Sequence, residues 1–170
     1  MYLWLVFLHV LSLFGFLMAH GVSVSVAFTL RHERNPHRIQ TLLNLSGSAI
    51  GILNLSILLL MATGIAAGFM GQWWGRAWIW LSLGLLLAIS IYMAITASGY
   101  YGQVRKAVGL AYRQGSKENK PTEPASPEEI NALLNQSQPL VLAVIGFGGL
   151  AVISWLMMFK QISTVGHSLA

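Results

Sequence analysis

Cysteine and aspartate are both absent from this 170-residue chain. Without cysteine there is no disulfide, no thiolate-bound metal, no iron–sulfur cluster and no covalently attached c-type haem. Without aspartate, and with Glu33, Glu118, Glu123, Glu128 and Glu129 all in polar stretches, the apolar segments hold no acid. That removes paired-carboxylate hydrolysis and a buried Ser–His–Asp triad, and it weighs against proton pumps and cation transporters, whose pathways usually carry carboxylates. A Gly-rich phosphate loop is missing as well. Charge of any sign is scarce, at 9% of residues against about 25% in an ordinary soluble domain. With 55% hydrophobic residues and a mean hydropathy of +0.65, the composition is that of a membrane protein. The net charge of +5 lies beside the apolar segments, where orientation and anionic lipid head groups account for it. Nucleic acid is not an expected partner.

What is there in quantity is long apolar runs. A bilayer core of about 30 Å needs about 20 apolar residues in a helix, and four segments reach that length: 2–30, 39–70, 77–101 and 139–159. The first starts without a basic leader, and it is far longer than the ~7–15 apolar residues of a signal peptide, so it is expected to be retained. The expectation is one integral membrane domain over 1–170. Short connections make it an all-α, four-helix transmembrane up-down bundle. Eight of the ten Lys and Arg residues lie in "RHERNPHR" (31–38) and in 103–138, leaving only Arg76 and Lys160 on the other side. This asymmetry places loops 1 and 3 in the cytoplasm and both termini outside, in the plasma (inner) membrane if the cell is bacterial. Trp4, Trp73, Trp74, Trp78, Trp80 and Trp155 fall near the outer ends, where indole rings favour the interface.

The loops carry their own signals. Asn35 can cap the second helix, with Pro36 at its first position. In the linker 103–138, "QVRKAVGLAYR" has apolar residues at helical spacing and is expected in the head-group layer. "GSKENKPTEPASP" reads as extended chain. "SPEE" (126–129) supplies a capping box for a short helix before Pro139. A solvated linker with one helix is the plain reading, and a docking surface for a partner the sharper one.

Two histidines interrupt the first apolar run. From His9 to His20 the chain turns about 1100°, roughly 20° past three full turns, and rises ~16 Å. The two rings therefore share a stripe with Ser12, Phe16, Ser23 and Ala27, which should turn inward because lipid offers no hydrogen bonds. The second helix aligns Gly47, Gly51, Asn54, Leu58 and Met61, with GxxxG spacings at Gly47/Gly51 and Gly64/Gly68. The third aligns Trp78, Ser82, Leu85, Ile89, Tyr92, Thr96 and Gly99. Counting depth from the outer interface sets His9 near Met61 and Gly64. It sets His20 near Gly51, Asn54, Tyr92 and Met93, which makes Gly51 the more sensitive of the two glycines. Each imidazole would face a surface where a flat macrocycle fits. The plainer readings stand beside this: GxxxG most often serves close helix approach, Asn54 and Tyr92 can hydrogen-bond across helices, and an intramembrane histidine can do the same. Two histidines on one face with no acid nearby point toward ligation. His32 and His37 read as head-group residues, and His167 lies in a polar tail.

The opening "YLWLVFLHV" resembles a group of small four-helix membrane proteins. The group includes the J-type protoporphyrinogen IX oxidases, the copper-resistance protein D family and an uncharacterised family of integral membrane proteins. The likeness to the last runs through "HGVSVSVAFTLRHERNPHRI", "GIAAGFMGQWWGRAWIWLSL" and "YYGQVRKAVG". The resemblance implies a self-associating four-helix fold, and it implies that His9 is associated with b-type haem. The oxidases also carry a Lys-containing motif and further histidine in the third helix, and "RAWIWLSLGLLLAISIYM" (76–93) has neither, so oxidase activity is not implied. The cofactor-binding candidates are His9, His20, Met61, Gly51, Asn54 and Tyr92, with His9 and His20 as metal ligands. The first expectation is a haem b membrane protein for electron transfer or a subunit of a membrane redox complex, the lipid bilayer and further copies or subunits being its partners. Copper handling is the alternative, through His9, His20, Met18 and Met61, since imidazole and thioether suit copper. A cofactor-free structural subunit is the third.

Overall fold

The computed structural model describes residues 1–114 and 117–159; Lys160 and His167 lie outside the described residues. Four helices are long and apolar enough to cross a membrane: α1 (Tyr2–His32), α2 (Pro36–Met70), α3 (Ala77–Ala107) and α5 (Pro139–Met158). Between α3 and α5 come a two-stranded hairpin, β1 (Tyr112–Gln114) with β2 (Lys117–Asn119), and the short helix α4 (Pro127–Asn135). The 31 residues of α1 rise about 46 Å at 1.5 Å each, well beyond a ~30 Å core. The first three spans therefore outrun the expected bounds at the basic end.

The α1–α2 turn forms as its sequence dictates. Asn35 Oδ1 accepts from the backbone N–H groups of His37 (3.0 Å) and Arg38 (3.5 Å), and Pro36 opens α2. The Asn35 and Arg34 N–H groups both donate to Glu33 Oε1 at 3.0 Å, and Arg38 pairs with the other oxygen at 3.4 Å. These contacts, the Asn35 N–H foremost, hold the half-buried Glu33 carboxyl below its usual range.

Burial is deepest at this basic end. Leu30, Ile39, Leu43, Val104, Val108 and Leu134 are all 2% exposed or less and form one cluster with Val26 and Ile130. Both basic connections thus lie at the same end of the bundle. Helix α4 is amphipathic, and it is held by a complete capping box between Ser126 and Glu129. Its apolar face enters the cluster rather than trailing in a solvated linker. Where the alternative is water, burying each such side chain contributes about 1.5–3 kcal/mol.

The expected helix over 103–113 stops earlier. Gly109 takes φ +74, the left-handed conformation that suits glycine, and Leu110 N–H bonds back to Arg105 O at 2.9 Å. A side chain at 109 would press on Pro124 Cγ and Thr122 O, at 3.1 and 3.3 Å. Arg105 closes the end by donating to the carbonyls of Ala111 (2.8 Å) and Leu43 (3.2 Å), and Gln40 donates to Val108 O at 2.8 Å.

Inside the spans the order of packing is not simply sequential. Helices α1 and α2 pack along most of their length, whereas α3 packs chiefly on α5, which also touches α1. A mid-bundle cluster of Leu60, Leu86 and Ile153 joins α2, α3 and α5. Large apolar side chains such as Phe14, Met18, Leu58 and Ile95 stay exposed on the outside, as lipid-facing positions do. At the opposite end, Tyr2, Trp73 and Trp78 make edge and tilted ring contacts at 5.6–5.9 Å, and Trp80 Nε1 donates to Trp74 O at 2.9 Å.

Candidate functional site

The stripe on α1 turns inward: Ser12, Phe16, His20 and Ala27 are buried, with His9 and Ser23 half-buried. Its serines are satisfied within the helix, Ser12 by Leu8 O (2.7 Å) and Ser23 by Ala19 O (3.2 Å). The imidazoles are therefore the polar groups with unassigned chemistry.

His9 meets α2 at Thr63 and Gly64. Thr63 Oγ1 lies 2.6 Å from Leu59 O, to which it donates its only proton, and 3.1 Å from His9 Nδ1. A Thr63 hydroxyl that donates to Leu59 O accepts from Nδ1–H, and the Leu60 carbonyl also bonds the imidazole. In that tautomer Nδ1 carries the hydrogen and Nε2 the lone pair. Gly64 makes room for the ring: a Cβ there would stand 3.1 Å from His9 Cε1 and 3.5 Å from Nδ1. The expected match of His9 with Gly64 is thus realised. Thr63 is the residue that depth counting missed, and its signal was a hydroxyl immediately before the glycine at histidine depth. Met61 lies half-buried against the Leu60–Leu86–Ile153 cluster.

His20 meets something else. It is only 2% exposed, stacked on Phe16 (centroids 5.9 Å, planes 18° apart) and met edge-on by Phe147 of α5 at 4.8 Å. Its Nε2 is buried without a hydrogen-bond partner and presses toward the backbone of Gly146, where a Cβ would overlap the ring. The Leu142 carbonyl lies alongside. The helix widens to π geometry over Val144–Gly148 at this contact, a local loosening of the kind seen where a helix accommodates an inserted group.

The expected surroundings of His20 are therefore corrected. Nothing lies within 4 Å of a Cβ at Gly51, and Asn54 is exposed. Gly51 lies 13 residues before Gly64, a rotation of about 140° away from the face that meets α1. Gly47 faces Arg105 of α3, 3.6 Å from its Nη1. The close α1–α2 approach is instead made at Gly15, where a Cβ would stand 2.7 Å from Ser56 Oγ. Tyr92, 44% exposed, lines a separate cleft at the basic end.

Haem and copper can be judged against these donors. One ring nitrogen of His9 is tied to a neighbouring polar group, as one nitrogen of a metal-bound histidine is. It is half-buried, so one flank of the ring reaches the bundle perimeter. His20 does not fit a macrocycle, because α5 fills the space before Nε2. A copper path through both histidines fits no better: Met18 is 73% exposed while His20 is sealed. No three His, Cys, Asp or Glu side chains converge among the described residues. No protein-family model matches the chain, and no curated protein or solved structure matches it.

Proposed function

We propose that the chain is a b-haem-binding integral membrane protein, acting in electron transfer alone or as a subunit of a membrane redox complex, with His9 as the axial ligand. The observation that carries this reading is the Thr63–His9 bond, which holds the ring through Nδ1; with Nδ1 as the donor, Nε2 is the nitrogen offered to iron. Haem would supply one-electron chemistry. The chain supplies the rest: Thr63 orients the imidazole and sets its tautomer, Gly64 clears one edge, and the apolar surroundings exclude water from the nitrogen. No carboxylate is at hand to protonate or balance charge, which suits electron transfer better than proton-coupled catalysis.

Half-burial of His9 means that one chain covers only part of a macrocycle. The remaining wall comes from a second copy or another subunit, which makes self-association part of the proposal. The basic loops, both at one end of the bundle, are assigned to the cytoplasm with both termini outside, by the eight-to-two distribution of Lys and Arg. A cysteine introduced at Lys120, in this cysteine-free chain, should resist an impermeant thiol reagent added to intact cells; labelling from outside would reverse the orientation. For the cofactor, the full-length protein is purified from cells supplied with haem precursor. The expected result is a Soret band with iron in proportion to chain. Copper by elemental analysis with no Soret band would replace this reading with metal handling, and neither group with co-purifying subunits would replace it with a structural role.

A further inference from the structure

A half-enclosed cleft of about 240 Å³ opens at the basic end, where the last turns of α3 meet the segment leading into α5. Its walls come from Tyr92, Thr96, Tyr100 and Tyr101 on one side and Ser137 and Gln138 on the other, closed by Ala27 of α1 and Leu142 of α5. Tyr100 and Tyr101 set their rings edge to face at 5.3 Å, giving an aromatic wall. The Tyr100 hydroxyl donates to Leu133 O at 3.3 Å beside the Ser137 hydroxyl, so this wall is pinned to α4 rather than free to collapse.

Three properties define what could bind. None of the lining residues carries a charge, so a phosphate or carboxylate would lose its hydration without a cationic partner. Hydroxyl and amide groups from Tyr92, Thr96, Ser137 and Gln138 can donate to acceptor oxygens on a neutral ligand. The volume lies below the ~300–1,000 Å³ typical of drug-sized sites, enough for a single substituted ring and too small for a macrocycle. The cleft also sits where the spans emerge toward the head groups, so an apolar tail attached to the ring can remain among the lipids.

We infer that this cleft binds the head group of a membrane quinone, its ring against Tyr100 and Tyr101 and its carbonyl oxygens accepting from the polar residues of α3 and the α4–α5 turn. The inference names a partner class for the redox role proposed above and rests on that reading for its meaning, while the binding itself requires no haem. Leu142 links the two halves of the molecule, since it lines the cleft and its carbonyl lies beside His20.

The test uses full-length protein in nanodiscs of neutral phospholipid. The probe is a short-tailed benzoquinone carrying a photoreactive azide, with the unmodified analogue as competitor. The expected result is saturable labelling within 92–101 or 136–142, displaced by the analogue. Ala97→Phe, which fills the cleft, should weaken displacement at least tenfold with an unchanged melting temperature. Tyr92→Phe and Gln138→Leu, which remove donors at exposed positions, keep the test decisive if Ala97→Phe fails to fold, and each should weaken it several-fold. Labelling spread over the lipid-facing surface, labelling indifferent to all three variants, or displacement by added phospholipid as effective as by quinone would overturn the inference. His9→Ala should leave labelling unchanged, so failure of the haem assignment shows in the Soret band and failure of the quinone assignment shows here.

Discussion

His9 and His20 lie on one stripe of one helix, yet they occupy opposite kinds of environment. His9 leans on a hydroxyl of α2, half-buried, with Nδ1 at 3.1 Å from Thr63 Oγ1. His20 is shut between Phe16, Phe147 and the Gly146 backbone. The same side chain is thus hydrogen-bonded across helices at one depth and packed among rings and backbone at the other. Helix α1 alone does not decide between them. The neighbouring helix does, since α2 offers Thr63 and Gly64 where α5 offers Gly146, the Phe147 ring and a widened turn. In a membrane interior, where burial against lipid gains little, such specific contacts rather than apolar area separate one arrangement from another.

The sharpest way to break this contrast is to crowd His20. Gly146→Ala places a methyl group inside the imidazole and should destabilise the protein by about 1–3 kcal/mol, as overpacking does, read as a lower melting temperature in detergent. The double variant His20→Ala/Gly146→Ala should recover much of that loss. Additive losses would mean that the two residues do not share the contact.

Removing the polar partner of His9 should cost less. Thr63→Val keeps the shape and deletes the hydroxyl, for about 0.5–1.5 kcal/mol. Its more telling effect is on any bound haem, whose absorbance should broaden or shift as the ring loses its orienting bond. A spectrum identical to that of the parent protein would separate Thr63 from the site.

Smaller still is the difference between two glycines of α2. Gly64→Ala must push the His9 ring aside and should lower stability slightly. Gly51→Ala meets open space and should leave it unchanged or raise it by up to about 1 kcal/mol, from helix propensity alone. Equal losses at both positions would restore the Gly51 placement that depth counting suggests.

Part of this was legible in the residues. Four apolar runs, the Asn35 cap, the Ser126–Glu129 box and the inward stripe of α1 all follow from local chemistry, which the chain carries with it. The pairing of His9 with Gly64 was readable because each lies about two turns from the outer end of its helix, where little error in depth accumulates. The His20 environment was not, because depth fixes height along a helix and leaves rotation open, and Gly51 points away from the α1 face. Nothing local announces that α5 packs on α1 at His20, although the "GFGG" run at 146–149 marks a place where backbones can close in. Docking of α4 into the basic end was likewise hidden, since its two inward residues, Ile130 and Leu134, meet partners from three distant segments.

The smallest expected effect concerns the α1–α2 turn and serves as a control remote from both histidines. Glu33 is held below its unfolded value, so its contribution is present above that unfolded value and is lost as pH falls through the folded one. Glu33→Gln should flatten only this slight acid-side slope in melting temperature, leaving behaviour at neutral pH and any haem spectrum as they were. A change at neutral pH would tie the turn to the sites.

The most direct measurement compares haem content, per chain, in His9→Ala and His20→Ala purified side by side with the parent protein. The account predicts that His9→Ala loses the Soret band while His20→Ala, though less stable, retains it. Retention in His9→Ala with loss in His20→Ala would contradict it and move the ligand to the sealed histidine.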